Sequence, residues 1–141
     1  MNSYYFSITL TVLANVGYHL CQKSIHQGVS PLISLIATYA VALLTALIAA
    51  PFFGTSLAWA SFRELNWASY GLGFAILLLE LGFLLAYRAG WNLSTAALAS
   101  NVTVALMLLP IGLLAFREQL NAWNWVGIVL ALAAIVLIGK K

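Results

Sequence analysis

Glu80 sits in the middle of an apolar run, Phe74-Ala75-Ile76-Leu77-Leu78-Leu79-Glu80-Leu81-Gly82-Phe83-Leu84-Leu85-Ala86-Tyr87-Arg88, in a segment long enough to cross a bilayer. An ionisable group at that depth costs about 2.5–3.5 kcal/mol on insertion scales, so it normally faces a bundle interior or an aqueous cavity. The chain has three acidic residues. The other two, Glu64 and Glu118, stand beside Arg63 and Arg117 outside the apolar runs, which leaves Glu80 without an obvious local partner. Two chemistries fit it. Low dielectric favours the neutral form of a carboxyl, so Glu80 can hold a proton and release it when a cationic or amine-bearing solute arrives. Alternatively, the protonated acid hydrogen-bonds a neighbouring helix and serves assembly.

Other polar residues fall where they could serve the same centre. Thr11, Asn15, Tyr18, His19 and Gln22 are spaced i, i+4, i+7, i+8 and i+11, which keeps them within about 100° of one helical face. The opposite face, with Ile8, Leu10, Leu13, Val16 and Leu20, is oily. Such a stripe lines a cavity or a helix–helix contact. Ser69, Gly73, Glu80 and Tyr87 share a stripe of their own. Tyr87 therefore either lines the cavity near one mouth or anchors the helix at the membrane interface. Arg88 lies about 12 Å along the helix from Glu80, too far to neutralise it, and should snorkel to water. Asn101 shares a face with Ser94, Ala105 and Gly112 and is expected to be a second buried polar group in need of a partner.

These groups need a membrane scaffold to hold them. Of 141 residues, 64% are hydrophobic and 6% charged, a composition that belongs to integral membrane proteins. The reading is an all-α integral membrane protein, a single domain over residues 1–141, with helices at about 4–22, 31–50, 67–88, 94–116 and 123–139. The first helix lacks the basic flank of a signal peptide and is expected to remain as a span. Ser30-Pro31, Asn66 and Asn121 read as helix starts. Pro51 ends the second helix, whose Ala42, Ala46 and Ala50 suit close packing. The connection that follows is aromatic, with Phe52, Phe53, Trp59 and Phe62, and suits the interface, with a turn at Gly54-Thr55-Ser56. Pro110 should kink the fourth helix, and Gly127 with Ala131 offers a dimerisation face on the last.

Several classes are excluded or disfavoured. The net charge of +3 comes from scattered residues, without the basic clusters of a nucleic-acid binder. The single cysteine, Cys21, rules out an internal disulfide framework, and its expected place is buried near a helix end. Neither an enzyme's catalytic constellation nor a metal or cofactor site is expected; His19 and Glu80 alone are weak metal ligands.

The order of apolar segments resembles one five-helix repeat of the EamA-type drug/metabolite transporter superfamily. The resemblance lies in Gly82-Phe83-Leu84-Leu85-Ala86-Tyr87-Arg88-Ala89-Gly90, Ser94-Thr95-Ala96-Ala97-Leu98, Pro110-Ile111-Gly112-Leu113-Leu114, Arg117-Glu118-Gln119-Leu120 and Trp125-Val126-Gly127-Ile128-Val129-Leu130-Ala131. It covers essentially the whole chain. The size is also similar to the small multidrug-resistance branch, which has four helices and its carboxylate in the first. By resemblance the chain is half of a transporter: two copies pair, and the location is a bacterial or archaeal inner membrane. Lys23, Arg88, Lys140 and Lys141 against Arg63 and Arg117 give a weak positive-inside bias, compatible with either a dual-topology antiparallel homodimer or a single orientation. The function implied is export or exchange of a small organic solute (a metabolite, amine or drug-like molecule), coupled to protons through Glu80. Asn15, Tyr18, His19, Tyr87 and Asn101 would complete the substrate and proton site. The rival expectations are a non-catalytic subunit that stabilises a larger membrane complex and a lipid-linked sugar flippase subunit.

Overall fold

Five long helices carry the chain, at nearly the places the hydropathy pattern predicts. The structure, a computed structural model, describes residues 2–55, 58–117 and 119–139. Helix α1 spans Asn2–Ser24 and α2 Pro31–Ala49, followed by a 3-10 turn at Ala50–Phe53 and a short helix α3 at Trp59–Arg63. Helices α4 (Trp67–Arg88), α5 (Leu93–Ala115) and α6 (Ala122–Gly139) complete the order, and no strand occurs among the described residues. Three segments, Pro31–Phe53, Trp67–Arg88 and Leu93–Ala115, are long and apolar enough to cross a membrane. Helix α6 is apolar but shorter over Ala122–Ile138. Helix α1 has the length, but its polar stripe keeps it from the apolarity of the other three.

The helix ends follow local chemistry. Pro31 opens α2, where its missing N–H costs no hydrogen bond, although the Ser30 side chain makes no cap. Asn66 caps α4 by accepting from the Ala68 N–H at 3.1 Å, and Asn121 caps α6 by accepting from the Asn124 N–H at 2.9 Å. Helix α4 closes through the Ala89 N–H donating to the Leu85 carbonyl, with Gly90 at φ +95° turning the chain out of the helix. Gly54 at φ +66° does the same after the 3-10 turn. Helix α5 starts at Leu93, one residue before the predicted Ser94, and continues through Pro110. Ser56, Glu118, Lys140 and Lys141, which entered the turn, ion-pair and charge-bias expectations, lie outside the described residues.

Two compact units emerge, residues 1–90 and residues 91–141. In the first, α4 packs against both α1 and α2. In the second, α5 packs against α6, with Ala96 and Gly112 of α5 buried. Small residues there let backbones approach closely.

The first unit buries polar groups beside Leu35 and Leu84 and leaves oily helix faces outside. His19, Gln22 and Glu80 are buried, whereas Ile8, Leu10, Leu13, Val16 and Leu20 of α1 are exposed. In water this distribution would leave a large apolar surface uncovered. In a bilayer it is the stable arrangement.

Removing the cap of the central helix should be felt locally. Asn66→Ala is expected to destabilise the protein by about 1 kcal/mol, read as a lower unfolding midpoint in detergent with the assembled helicity unchanged.

Candidate functional site

The site is built where α1 and α2 meet the C-terminal half of α4. Helical spacing puts Glu80, Phe83, Leu84 and Tyr87 on one side of α4. Glu80 is 9% exposed and Tyr87 3%, and Leu84 and Leu35 of α2 are each 1% exposed. From α1 come His19 and Gln22, both buried, and Tyr18 and Asn15, both half-buried.

Hydrogen bonds tie α1 to α4 at two levels. The Tyr87 hydroxyl and His19 Nδ1 are 2.9 Å apart. In the tautomer protonated at Nε2, Tyr87 donates to the ring. Gln22 Nε2 donates at 3.4 Å to the Glu80 backbone carbonyl and at 3.4 Å to the Tyr18 hydroxyl, both long contacts. Rings fill the space between these bonds. His19 meets Phe83 edge-on with centroids 4.8 Å apart, and Tyr18 meets His19 at 5.0 Å and Phe83 at 6.0 Å, also edge-on. Phe83 stacks on Tyr87 at 6.0 Å. Edge-to-face pairs of this kind add about 0.5–1.5 kcal/mol each beyond their area burial.

The carboxyl itself is incompletely satisfied. Glu80 Oε2 is buried with no hydrogen-bond partner, and the same holds for Gln22 Oε1 and the Tyr39 hydroxyl. Tyr39, on α2, faces the Glu80 carboxyl without closing a well-formed hydrogen bond onto it. Tyr18 lies near enough to feel its charge. Buried polar atoms without partners are uncommon in native proteins, and such a group calls for a water, an ion or a function.

At the end of α1 and α4 the interior opens into a cleft of about 30 Å³, lined by Gln22, Lys23, Ile25, Gln27, Leu84, Tyr87 and Arg88. Lys23 Nζ lies 5.3 Å from the centroid of the Tyr87 ring, a cation–π contact. Arg88 Nη2 donates to the Val29 carbonyl at 2.6 Å, which ties the α1–α2 connection to the end of α4.

The structure thus brings together four of the six predicted site residues: Glu80, Tyr18, His19 and Tyr87. Asn15 lies on the same face of α1, half-buried, and makes no hydrogen bond to them. Asn101 belongs to the second unit and is exposed on α5, where the spacing predicts burial; nothing in its own unit covers that side of the helix. Two further expectations are corrected. Cys21 is exposed, because it points off the side of α1 that carries His19 and Gln22. Arg88 is half-buried, and its guanidinium meets the Val29 carbonyl at an exposed position. Thr11 is exposed and bonds back to the Ser7 carbonyl of its own helix at 3.0 Å, so it drops out of the interior stripe. Tyr87 is buried in the first unit, at the helix ends that carry Lys23 and Arg88. Tyr39 is the residue that sequence reasoning missed; its signal was a phenol one turn from Leu35, in a helix whose other polar residues are Ser34, Thr38 and Thr45.

Compared with known protein families, curated proteins and solved structures, the chain matches none.

The His19–Tyr87 bond permits a direct test of coupling between α1 and α4. Tyr87→Phe leaves a buried imidazole nitrogen unpaired and is expected to cost about 1–3 kcal/mol. Adding His19→Phe should recover part of that loss, a non-additive double-mutant cycle in detergent unfolding.

Proposed function

We propose that the chain is a multi-pass protein of a cell inner membrane that exports or exchanges a small organic solute against protons. In this reading all five long helices lie in the bilayer, α1 being shielded by its neighbours along its polar stripe. Two copies pair to form the carrier, as the resemblance of the helix order to one EamA-type repeat implies. Glu80 holds a proton in the empty state and yields it to a cationic or amine-bearing solute. Proton and solute then compete for one carboxyl, so neither is carried with the other and their opposite movements are coupled.

The observation that supports this reading best is the buried Glu80 Oε2 without a partner, on a helix flanked by Tyr39, Tyr18 and Gln22. The open oxygen lies on the side of α4 where the helices of the first unit meet. His19 and Tyr87 hold each other, so they shape the wall of the site and need not touch the solute.

Glu80→Gln, reconstituted into vesicles, is expected to lose solute movement driven by a pH gradient while keeping its helicity and its elution as an assembled species. Retained transport in that variant would remove Glu80 from the coupling role. Loss of insertion or assembly would assign it to packing instead.

A further inference from the structure

Two cations meet at one end of the first unit. Lys23 lies in the last turn of α1 and Arg88 closes α4, and both line the cleft of about 30 Å³ between those helix ends. Among the described residues no carboxylate lines it. The last carbonyls of each helix carry about half a negative charge, so two full positive charges leave the cleft cationic. Lys23 Nζ stands over the Tyr87 ring at 5.3 Å from its centroid. The Arg88 guanidinium gives one N–H to the Val29 carbonyl, while its Nε–H is buried with nothing bonded to it. A buried guanidinium donor without an acceptor is costly and uncommon. The place is the border of the membrane: one apolar segment, Trp67–Arg88, ends here, and the next, Pro31–Phe53, begins just beyond the α1–α2 connection. Lys23 and Gln27 are exposed, whereas Gln22, Leu84 and Tyr87 are buried, so the cleft runs from an open rim to a closed floor.

We propose that Lys23 and Arg88 hold a phosphate group in this cleft, carried by an anionic lipid headgroup or free in solution as inorganic phosphate. Guanidinium and ammonium donors suit phosphate oxygens, and charge-assisted bonds of this kind are the strong ones. Size narrows the ligand. The cleft of about 30 Å³ has room for roughly two water-sized groups. That suits two phosphate oxygens entering from the rim, and it excludes a drug-sized molecule, whose pocket measures at least ~300 Å³. Basic pockets between membrane helices at the interface take lipid head groups by the same charge. Glu80 does not line the cleft, so the phosphate site stands whether or not Glu80 couples transport.

The test uses the purified full chain in detergent, stripped of lipid, with dioleoyl phosphatidylglycerol, dioleoyl phosphatidylcholine and inorganic phosphate as probes. Lipid retention is read by native mass spectrometry and phosphate binding by calorimetry. The native protein is expected to bind phosphatidylglycerol or inorganic phosphate roughly 10-fold more tightly than Lys23→Gln or Arg88→Gln does, the size of one lost charge-assisted bond. Arg63→Gln, which removes an exposed cation from α3, should bind as the native chain does. Lys23→Gln leaves the Arg88–Val29 bond in place and keeps the test open if Arg88→Gln does not fold. Retention of phosphatidylglycerol above phosphatidylcholine, undisturbed by inorganic phosphate, would assign the cleft to a lipid phosphate. Binding of inorganic phosphate that displaces the lipid would assign it to free phosphate. No binding of any probe, unchanged affinity in folded Lys23→Gln, or an equal loss in Arg63→Gln would overturn the site.

Discussion

One carboxyl that cannot face hydrocarbon organises the first unit. Glu80 sits in a helix that is otherwise long and apolar enough to cross a membrane, and an exposed charge there would meet lipid on every side. The fold answers by turning the polar face of α1 toward α4 and bringing α2 onto the same side. His19, Gln22 and Tyr87 become buried as a consequence, and the oily faces of the same helices are left outward. In a water-soluble protein these preferences run the other way. The inversion ties the composition, the helix packing and the location of the site to one solvent.

Inside that arrangement, satisfied and unsatisfied polar groups play different parts. The Tyr87–His19 bond, the Gln22 contacts to Glu80 and Tyr18, and the Arg88–Val29 bond join separate stretches of the chain. They hold α1, α4 and the α1–α2 connection in register. Glu80 Oε2, Gln22 Oε1 and the Tyr39 hydroxyl are buried in the same unit without partners, the kind of group that calls for a water, an ion or a function.

Much of the scaffold was legible in the sequence because membrane helices advertise themselves. Long apolar runs, the prolines at 31 and 51 and the asparagines at 66 and 121 mark helix ends through local chemistry, and the observed helices follow them within a residue or two. The stripe through Tyr18, His19 and Gln22 was legible for the same reason: helical periodicity places residues on a face without any tertiary information. Periodicity does not say what covers that face. It therefore placed Asn101 inside, as residue type alone did for Cys21, although neither is covered within its own unit. It gave no way to find Tyr39, whose relevance depends on α2 approaching α4 beside Glu80. Nor could it show that Arg88 would spend its guanidinium on a loop carbonyl, because that bond joins residues far apart in the chain.

The central claim is that the Glu80 carboxyl exchanges its proton for a bound cation. Infrared difference spectroscopy of the reconstituted protein, native against Glu80→Gln, reads that group directly. A protonated carboxyl carbonyl band that is present in the native protein, vanishes on adding a cationic amine that the protein transports and is missing from Glu80→Gln is the predicted result. A carboxyl that stays protonated when solute binds, or one already ionised before it arrives, would contradict the account.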